Sequence, residues 1–580
     1  MKNVHIFERE VTGRRYRIAA QSFWDSTLGR PVSRQVVLGP AGPPPETSNL
    51  ALARAVGSRR VGDVGALVWV AEQLDLIGHI DHACGPHATK KGPSLGEMVV
   101  AVAIQRACSP GPKCDLAEFL DGSVPRLSCL PASTFTGQAF HRMAQTVTDQ
   151  ELEAAQVAIA QAAIGRFQLS ADVLAFDTTN FDTHIATTTD GELAQRGHAK
   201  SKRSDLRVVG LGLLVSETGH VPLLYRTYNG NGSDQAVLDA CLTGLSDLHT
   251  ALDAGEGRVE PGQRTLVRDG GSWSPQLELH LDVTGYYSLI SLPMGHNAAK
   301  KALEHAAQKG VMRKLSGRYS EVRAARLRTK VGELDRTLVV VESPQLLEGQ
   351  KRGIAARLGK AKQELETLQG LVNKGKIRRS ALESRVQKAL SREHLASFVV
   401  ADIGGDEQAP TLSWRIDADR RRTLESTRLG RRVLCTDRHT WSIERIVHAF
   451  RGQWNVEELF RRAKKGGVVP WGPSHQWTDG SLRLHSFATV VGLMLVSLAK
   501  LALGTSSSPR AMMDSLAAIE ATELRVPPPG KGRPATVLLA PTLTPDQGKA
   551  VRVFELERWL PSLSSAMPRR NKPAIERAAA

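Results

Sequence analysis

Alternating polar and apolar residues mark the first forty positions of the chain as β-structure. Residues 14–39 alternate in this way, and a Gly-Arg-Pro turn precedes the apolar run at residues 35–39. This pattern predicts a small β-ribbon over residues 1–45. Three consecutive prolines within residues 40–48 then predict a linker.

A helical period follows the linker. Ser94 and Glu97 have the spacing of a capping box, in which a serine caps a helix and a glutamate three residues later bonds back to it. The apolar run at residues 98–104 comes directly after this box. The pattern predicts a helical region over residues 46–168.

Residues 169–292 combine strands with one helix. Apolar runs predict three antiparallel strands at residues 172–177, 208–215 and 221–228. A helix is predicted over residues 233–245, and a fourth strand leads to Asp269. Three meandering strands, a helix and a fourth strand are the order expected of a ribonuclease-H-like core, so the predicted fold class is a multidomain α/β protein.

A large insertion separates this fourth strand from the rest of the core. Asp269 and Glu457 are 188 positions apart, far more than a connecting loop needs. Strand-like segments predict a β-rich insertion over residues 293–430. The chain is expected to re-enter the core over residues 431–505, and residues 506–580 are expected to form a loosely ordered, Pro-rich basic tail.

A heptad seam inside the insertion predicts a helical hairpin. Its apolar positions recur at alternating steps of four and three residues: Ile354, Leu358, Ala361, Leu365, Leu368 and Val372. Residues 373–376 break the first helix, and a capping box at Ser380 and Glu383 is predicted to start the second. The hairpin is interpreted as a packed spacer, the alternative being a contact to a dimer partner or to DNA.

The net charge of the chain indicates the class of partner that it binds. The chain has 76 Lys and Arg against 59 Asp and Glu, a formal charge of +17, and a pI near 9.8. Such a balance favours binding to a polyanion by counterion release. The alternative is a basic soluble protein without that function.

The same sequence predicts a cytoplasmic location and no membrane contact. The first ten residues lack the uninterrupted apolar segment of a signal peptide. The six cysteines form no Cys-x-x-Cys pair, so neither a zinc ribbon nor a disulfide framework is indicated. The long apolar run at residues 486–503 is diluted by Thr489, Gly492 and Ser497 and is interpreted as a buried core helix.

Three carboxylates are the candidate catalytic residues. Asp177 and Asp269 end apolar strand-like runs, and Glu457 lies on a predicted helix crowded with cations. Carboxylate oxygens without neighbouring His or Cys suit Mg²⁺ or Mn²⁺, and two such ions can activate a nucleophile and stabilise a leaving oxygen in phosphoryl transfer. The pattern therefore favours metal-dependent phosphodiester chemistry on nucleic acid.

Structural roles are the alternative for each acid. Asp177 and Asp269 can cap turns or helices, with Asp172 and Asp182 as nearby competitors for the first position. For Glu457 the rival is its neighbour Glu458. The structural alternative there is an ion pair with the adjacent arginines at positions 461 and 462.

The helix that carries Glu457 also has a family resemblance. Phe450, Gln453, Glu457 and Lys464 follow the spacing Tyr, two residues, Arg, three residues, Glu, six residues, Lys, which is the signature of the insertion-sequence-four family of bacterial DDE transposases. Shorter matches lie at residues 196–200, 436–437 and 475–479, and the resemblance covers residues 1 to about 505. Phe450 replaces the family's Tyr and Gln453 replaces its Arg, two residues thought to contact DNA phosphates.

This resemblance implies a function and a set of roles. It implies a ribonuclease-H-like transposase that cuts at the terminal inverted repeats of an insertion element and joins the ends to target DNA. Asp177, Asp269 and Glu457 would bind two Mg²⁺ or Mn²⁺ ions. The DNA-binding candidates are Arg451, Arg461, Lys464, Lys465, Lys200, Lys202 and Arg203, together with the helical region at residues 46–168.

The implied transposition reaction also predicts the partners of the protein, and two other functions are alternatives to it. Work on two element ends implies a homodimeric synaptic complex on double-stranded DNA, in a bacterial cytoplasm and on the nucleoid when bound. The first rival hypothesis is a DNA-binding relic that has lost its chemistry, which the two departures from the signature favour. The second is a nuclease of the same fold that cuts without strand transfer.

Overall fold

The chain is a mixed α/β protein that divides into two compact units. The computed structural model describes residues 4–11, 14–25, 30–41, 52–85, 87, 92–186, 188–197, 199–232, 237, 264–308, 310–472, 474, 476–528 and 534–566. The first unit comprises Met1–Arg264 and Gly452–Ala580, and the second comprises Thr265–Arg451. The predicted core segment at residues 169–292 is therefore divided at residue 264.

The N-terminal part of the first unit begins with β-structure. Strands β1 (His5–Val11), β2 (Arg14–Asp25) and β3 (Arg30–Pro40) form an antiparallel sheet, with Ile18 opposite Phe7 on one side and Val37 on the other. A further strand, β4 (Arg54–Arg60), pairs with a strand near the other end of the chain. The predicted linker and the predicted helix at residues 233–245 lie outside the described residues, apart from residues 40, 41 and 237.

Six helices follow in the first unit: α1 (Gly62–Gln73), α2 (Leu76–Cys84), α3 (Leu95–Cys108), α4 (Leu116–Asp121), α5 (Gly137–Thr146) and α6 (Asp149–Phe167). The predicted capping box at the start of α3 is confirmed. Glu97 N–H donates to Ser94 Oγ at 3.1 Å, and Ser94 N–H donates to the Glu97 carboxylate at 2.9 Å. This box satisfies two backbone N–H groups that the first helical turn leaves without partners.

Three antiparallel strands position the first candidate acid. These strands are β5 (Val173–Thr183), β6 (Arg207–Ser216) and β7 (Pro222–Asn229), and Asp177 lies opposite Leu213. The prediction that the first strand ends at Asp177 is wrong, because β5 continues six residues further with its ladder to β6 intact.

The second unit contains a six-stranded mixed sheet. Its strands are β8 (Thr265–Arg268), β9 (Tyr287–Leu292), β10 (Arg313–Lys314), β11 (Arg323–Val331), β12 (Leu334–Glu342) and β15 (Arg431–Thr436), in the order β10-β11-β12-β15-β9-β8. Only β8 and β9 pair in parallel within this set. Helices α7 (Pro275–Val283), α8 (Asn297–Ala307) and α12 (Ile443–Arg451) accompany the sheet.

The predicted helical hairpin is present in the second unit. Helices α9 (Pro344–Asn373) and α10 (Arg379–Leu390) pack on the β13 (Val399–Gly405) and β14 (Pro410–Ile416) pair, followed by α11 (Ala418–Thr427). Five seam positions are buried, namely Ile354, Leu358, Ala361, Leu365 and Leu368, and Val372 packs against them. The predicted capping box at Ser380 is wrong, because the Ser380 hydroxyl donates to Glu407 and the helix begins one residue earlier.

The sequence predicts a loosely ordered tail over residues 506–580, but the described parts of this segment, residues 506–528 and 534–566, are folded. It contains α15 (Pro509–Ala517), β16 (Glu520–Val526), β17 (Ala535–Leu539), α16 (Pro545–Val553) and α17 (Leu563–Ala566). Strand β16 pairs with both β4 and β17. Pro509 and Pro545 stand in the first turn of helices capped by Ser508 and Thr544, where proline favours helix initiation rather than disorder.

One long apolar helix completes the first unit. Helix α14 (Asp479–Leu503) is long and apolar enough to span a membrane by length and composition, with a mean hydropathy of 2.0 in its most apolar window. Of that window 78% is buried inside the protein, and the helix packs on α3. The prediction of a buried core helix is confirmed.

A partly buried carboxyl of the second unit makes stability depend on pH. Asp437 follows β15, and its Oδ1 accepts the Ser288 N–H at 2.9 Å. Burial raises the pKa of Asp437 from 3.8 to about 6, although Arg336 opposes the shift. Between these two values the folded chain holds a proton that the unfolded chain has lost, so this group lowers stability as pH rises from about 4 to 6.

We therefore expect Asp437→Asn to stabilise the protein at neutral pH. Asparagine keeps an acceptor for Ser288 and removes the buried charge, so the gain should reach about 1–2 kcal/mol above pH 6 and shrink towards pH 4. Thermal midpoints of both proteins, measured from about pH 4.5 to 7.5, test this. A difference that does not change with pH would contradict the assignment.

Candidate functional site

Asp177 lies in the middle of β5, on a strand whose other residues are mostly buried. Its side chain is partly exposed, and its Oδ1 accepts the Thr178 N–H at 2.7 Å. Helix α13 (Gln453–Ala463) lies against β5 and β6 in the same unit. Asp177 and Glu457 are thus carried by two elements that pack on each other.

Glu457 belongs to the solvent face of α13. Trp454, Glu457 and Arg461 are exposed at steps of three and four residues, while Val456, Leu459 and Phe460 occupy the buried arc. Within the described part of the chain the Glu457 carboxylate has neither a hydrogen bond nor an ion pair. It is therefore available to a ligand from solution.

Glu458, and not Glu457, forms the ion pairs with the adjacent arginines. Its carboxylate pairs with Arg461 at 2.6 Å and with Arg462 at 3.4 Å, and Arg462 is itself buried and donates to Ser497 Oγ at 3.1 Å. Both ion pairs predicted as the alternative for Glu457 are thus made by Glu458. Of the two adjacent glutamates, Glu458 is bound within the protein and Glu457 faces solvent.

The helix geometry corrects two expectations. Glu457 and Lys464 are seven positions apart and would share a face of one continuous helix, but α13 ends at Ala463 and Lys464 is its C-cap with extended backbone. Trp454, a large aromatic residue expected to pack in the core, is instead 53% exposed. The Arg461 guanidinium lies 5.2 Å from its ring centroid, and His220 meets the ring edge-on at 6.4 Å.

Asp269 belongs to the second unit. It follows the end of β8 directly, as predicted, and is exposed. Its carbonyl accepts bonds from Ser272 N–H at 3.1 Å and Ser272 Oγ at 2.9 Å, so the Gly270–Ser272 segment folds back as a single 3₁₀ turn. The first and third predicted acids therefore lie in one unit and the second acid in the other.

Across the residues that the structure describes, no three His, Cys, Asp or Glu side chains come close enough together to hold a metal ion. The three predicted acids have the oxygen chemistry that Mg²⁺ requires. Their residue types therefore suit a divalent ion.

A basic loop is anchored beside Asp177. Lys200 N–H donates to Asn180 Oδ1 at 2.9 Å, the Lys200 ammonium donates to the Thr178 carbonyl, and Ser201 Oγ donates to Asp182 at 2.7 Å. The competing acid Asp182 thus holds the loop. Lys202 is exposed with φ of +63°, a conformation that the anchored residues around it maintain.

The remaining predicted DNA-binding cations fall into two groups. Arg203 pairs with Asp205, Arg461 with Glu458, and the Arg451 guanidinium lies 4.6 Å from the Tyr319 ring centroid. Lys202, Lys464 and Lys465 are exposed and make no ion pair within the described residues. Only this second group, among the described candidates, carries charge without a protein partner.

The two departures from the family signature are both buried. Phe450 is 6% exposed, with the Arg432 guanidinium 5.2 Å from its ring centroid, and Gln453 is 7% exposed. The Gln453 Oε1 atom has no hydrogen-bond partner among the described residues. Neither side chain presents a phosphate contact at the surface.

Sequence reasoning missed a network that fixes the segment after α13. Trp471 is fully buried, stacks on Phe181 of β5 at 5.0 Å and donates from Nε1 to Ser486 Oγ at 3.0 Å. His485 Nε2 donates to the Trp471 carbonyl at 2.7 Å, and Arg106 donates to the carbonyls on either side of that residue. The network joins α3, β5 and α14 around the end of α13.

Two titratable groups of this network are shifted by burial. His485 Nδ1 lies 3.2 Å from Lys113 Nζ, which in turn lies 4.4 Å from the Phe140 ring centroid. Burial lowers the pKa of Lys113 to about 7 and that of His485 well below its usual value. His485 is thus held by two protein partners, Lys113 and the Trp471 carbonyl. Partners this distant along the chain leave no local sequence signal.

Comparisons with known proteins leave the family open. No protein-family model matches the chain, and no curated protein matches it. Among solved structures, a piggyBac transposase synaptic complex with hairpin DNA aligns with a TM-score of 0.34 and 8% identity, covering 88% of this chain and 85% of that one. A TM-score this low defines neither the fold nor the function of the chain.

Proposed function

We propose that this protein is a DNA transposase of the insertion-sequence-four type, with a ribonuclease-H-like catalytic core and Asp177, Asp269 and Glu457 as its catalytic acids. The observation that carries the proposal is Glu457. It matches the family signature by position, is exposed on a helix packed against the strand of Asp177, and has no partner among the described residues, although four cations follow within eight residues. An acid left unpaired among cations has no evident structural task.

The three acids would hold one or two Mg²⁺ or Mn²⁺ ions. Bound there, divalent ions supply charge that activates a water or a 3′-hydroxyl and stabilises the leaving oxygen. The side chains of the protein would keep Glu457 free of ion pairs and bind the phosphates of the substrate. Glu458 pins Arg461 and Arg462 and so leaves Glu457 unneutralised, while the exposed lysines that follow α13 would hold the phosphates of the substrate.

The substrate would be double-stranded DNA that carries the inverted repeats of an insertion element. Cleavage would release a 3′-hydroxyl at each end, and joining would transfer it to a phosphate of target DNA. Because two ends must be processed together, the acting form would be a homodimer. A cytoplasmic location follows from that substrate in a bacterium.

The test is cleavage and joining of a labelled duplex that carries the inverted repeats flanking the protein's own coding sequence. Nicking at the repeat end and transfer to a second duplex are expected with Mg²⁺ and not with a chelator. Nicking without transfer in all conditions would instead identify a nuclease. Binding without either reaction would contradict the proposal.

A DNA-binding relic is the second candidate function. One observation favours it: the signature positions Phe450 and Gln453 are buried. The same assay separates the candidates, because a relic binds the end duplex at all Mg²⁺ concentrations and cuts it at none.

Whether a cation already has an ion-pair partner predicts how much its side chain contributes to DNA affinity. We expect Lys464→Ala with Lys465→Ala to weaken duplex binding and to reduce the slope of log affinity against log salt by about 2, because each phosphate contact contributes about 0.9. Arg203→Ala with Arg422→Ala is the matched comparison and should change the slope by less, since these two arginines are already paired with Asp205 and Asp419. Equal effects on the two slopes would contradict this assignment.

A further inference from the structure

Most of the net positive charge of this protein lies in one unit. Thr265–Arg451 contains 34 Lys and Arg against 21 Asp and Glu, a net charge of +13. The remaining 393 residues contain 42 against 38, a net charge of +4. Most of the charge therefore lies outside the unit that carries Asp177, Glu457 and the helical region predicted from sequence to bind DNA.

Within the second unit the helical hairpin is strongly basic. From Pro344 to Leu390 it has 11 Lys and Arg against four Glu, a net charge of +7. Three of these cations form ion pairs: Lys351 with Glu425, Arg357 with Glu393 and Arg379 with Glu383. The other eight have no ion pair with any residue that the structure describes: Arg352, Lys360, Lys362, Lys374, Lys376, Arg378, Arg385 and Lys388.

Some of these unpaired cations converge on a cleft between the two helices. The cleft has a volume of about 440 Å³ and is lined by Lys360 of α9 and by Arg385 and Lys388 of α10, together with Gln363 and Thr367. One acid, Glu364, also lines it. That carboxylate is paired with Arg392, whose hydrogen bond lowers the pKa of Glu364. The lining therefore presents three cations that make no ion pair with any described residue, together with two polar side chains.

The hairpin holds these charges on a rigid frame. The seam of α9, from Ile354 to Leu368, is buried against Leu382 and Val386 of α10 and against the β13–β14 pair. Cations on such a frame need little ordering when a ligand binds, so less conformational entropy opposes binding than for a flexible basic tail. The heptad seam that sequence analysis assigned to a spacer thus also fixes the positions of a charged surface.

We infer that this cleft and the adjoining surface of α9 and α10 bind the sugar-phosphate backbone of DNA, through residues distinct from the candidate acids. This inference rests on the proposed function for the choice of DNA as the polyanion. The length agrees with a duplex, because unpaired cations extend along α9 from Arg352 to Lys374, about 33 Å at 1.5 Å per residue. That distance is close to one turn of a DNA duplex, about 34 Å.

The test compares two triple variants with the same change in charge. Lys360→Ala, Arg385→Ala and Lys388→Ala remove the three cations of the cleft. Arg328→Ala, Arg420→Ala and Arg422→Ala remove three exposed cations of the same unit that are already paired with Asp335, Asp417 and Asp419. Affinity for a fluorescent duplex of unrelated sequence, about three helical turns long, is measured over a series of KCl concentrations.

We expect the cleft variant to lose at least about tenfold in affinity and to reduce the salt slope by about 2 to 3, at about 0.9 per phosphate contact. The control variant should stay within about threefold of the wild type, since its cations already have partners. Equal losses in the two variants, or no loss in the cleft variant, would overturn the inference. The substituted residues are exposed, and unchanged thermal midpoints confirm that both variants are folded.

Two further measurements separate this inference from the proposed function. If the wild type cuts and joins DNA while the cleft variant binds as tightly as the wild type, the inference fails and the transposase proposal stands. If the cleft variant loses affinity although the wild type performs no chemistry, the inference stands and the transposase proposal fails. Polyglutamate is the competitor control: displacement of the duplex as effective as that by unlabelled DNA would assign the cleft to an acidic protein and overturn the inference.

Discussion

Replacing Glu457 with glutamine is expected to reduce DNA cleavage and joining at least about a hundredfold, which corresponds to about 2.7 kcal/mol of lost transition-state stabilisation. The substitution removes one negative charge and keeps the size of the side chain. Because Glu457 is exposed and makes no ion pair in the described residues, the thermal midpoint and the affinity for end DNA should not fall. Single-turnover cleavage and a binding titration on the same duplex measure chemistry and affinity, and a thermal scan measures stability.

The neighbouring substitution Glu458→Gln is the matched control. It changes the same charge one residue away, but it breaks the pairs with Arg461 and with the buried Arg462. We expect it to lower the free energy of unfolding by about 1–2 kcal/mol and to retain chemistry. Loss of chemistry in Glu458→Gln with activity preserved in Glu457→Gln would show that the active site has been assigned to the wrong glutamate.

Replacing Glu278 with alanine is expected to destabilise the second unit by about 3–5 kcal/mol, because it leaves two buried arginines without their common partner. Arg268 is fully buried, pairs with Glu278 Oε1 and donates to Ser288 Oγ at 3.0 Å. Arg336 is 3% exposed, and its Nη2 lies 3.7 Å from Glu278 Oε2. An uncompensated buried charge is among the largest single-site costs in a folded protein.

Thermal unfolding measures this second effect. A loss of that size corresponds to a fall of about 10 °C for a unit of fewer than about 200 residues. Glu304→Ala on α8 is the control, because Glu304 is exposed and should shift stability by less than about 0.5 kcal/mol. A midpoint for Glu278→Ala within about 2 °C of the control would mean that the network contributes little. The fall in thermal midpoint should appear in the unfolding transition of the second unit, which is the transition that Asp437→Asn also shifts.

Local patterns predict the elements whose burial is periodic along the chain. The α9 seam, the capping box of α3 and the N-terminal strand alternation follow from spacing alone, because each depends on contacts a few residues apart. The apolar run of α14 likewise predicts a core helix from its composition. The prediction of loose order is wrong for residues 506–528 and 534–566, since a proline that starts a capped helix looks in sequence like one that breaks structure.

In the candidate site, too, some features follow from the sequence and others only from the tertiary structure. From sequence alone came the identity of Asp177, Asp269 and Glu457 and the cations around them, because residue type and spacing are local properties. Tertiary packing alone decided which glutamate is bound within the protein and that Trp454 faces solvent. Partners such as Arg462 and Ser497 are brought together by folding across long separations, so no local pattern announces them.

The same distinction applies to charge. The sequence by itself determined that the chain is strongly basic and contains a helical hairpin, since composition and heptad spacing need no coordinates. Only the tertiary structure decided where the two units divide, and therefore that the second unit holds a net charge of +13. It also decided which cations remain unpaired, because an ion pair is set by distance in space and not by position along the chain.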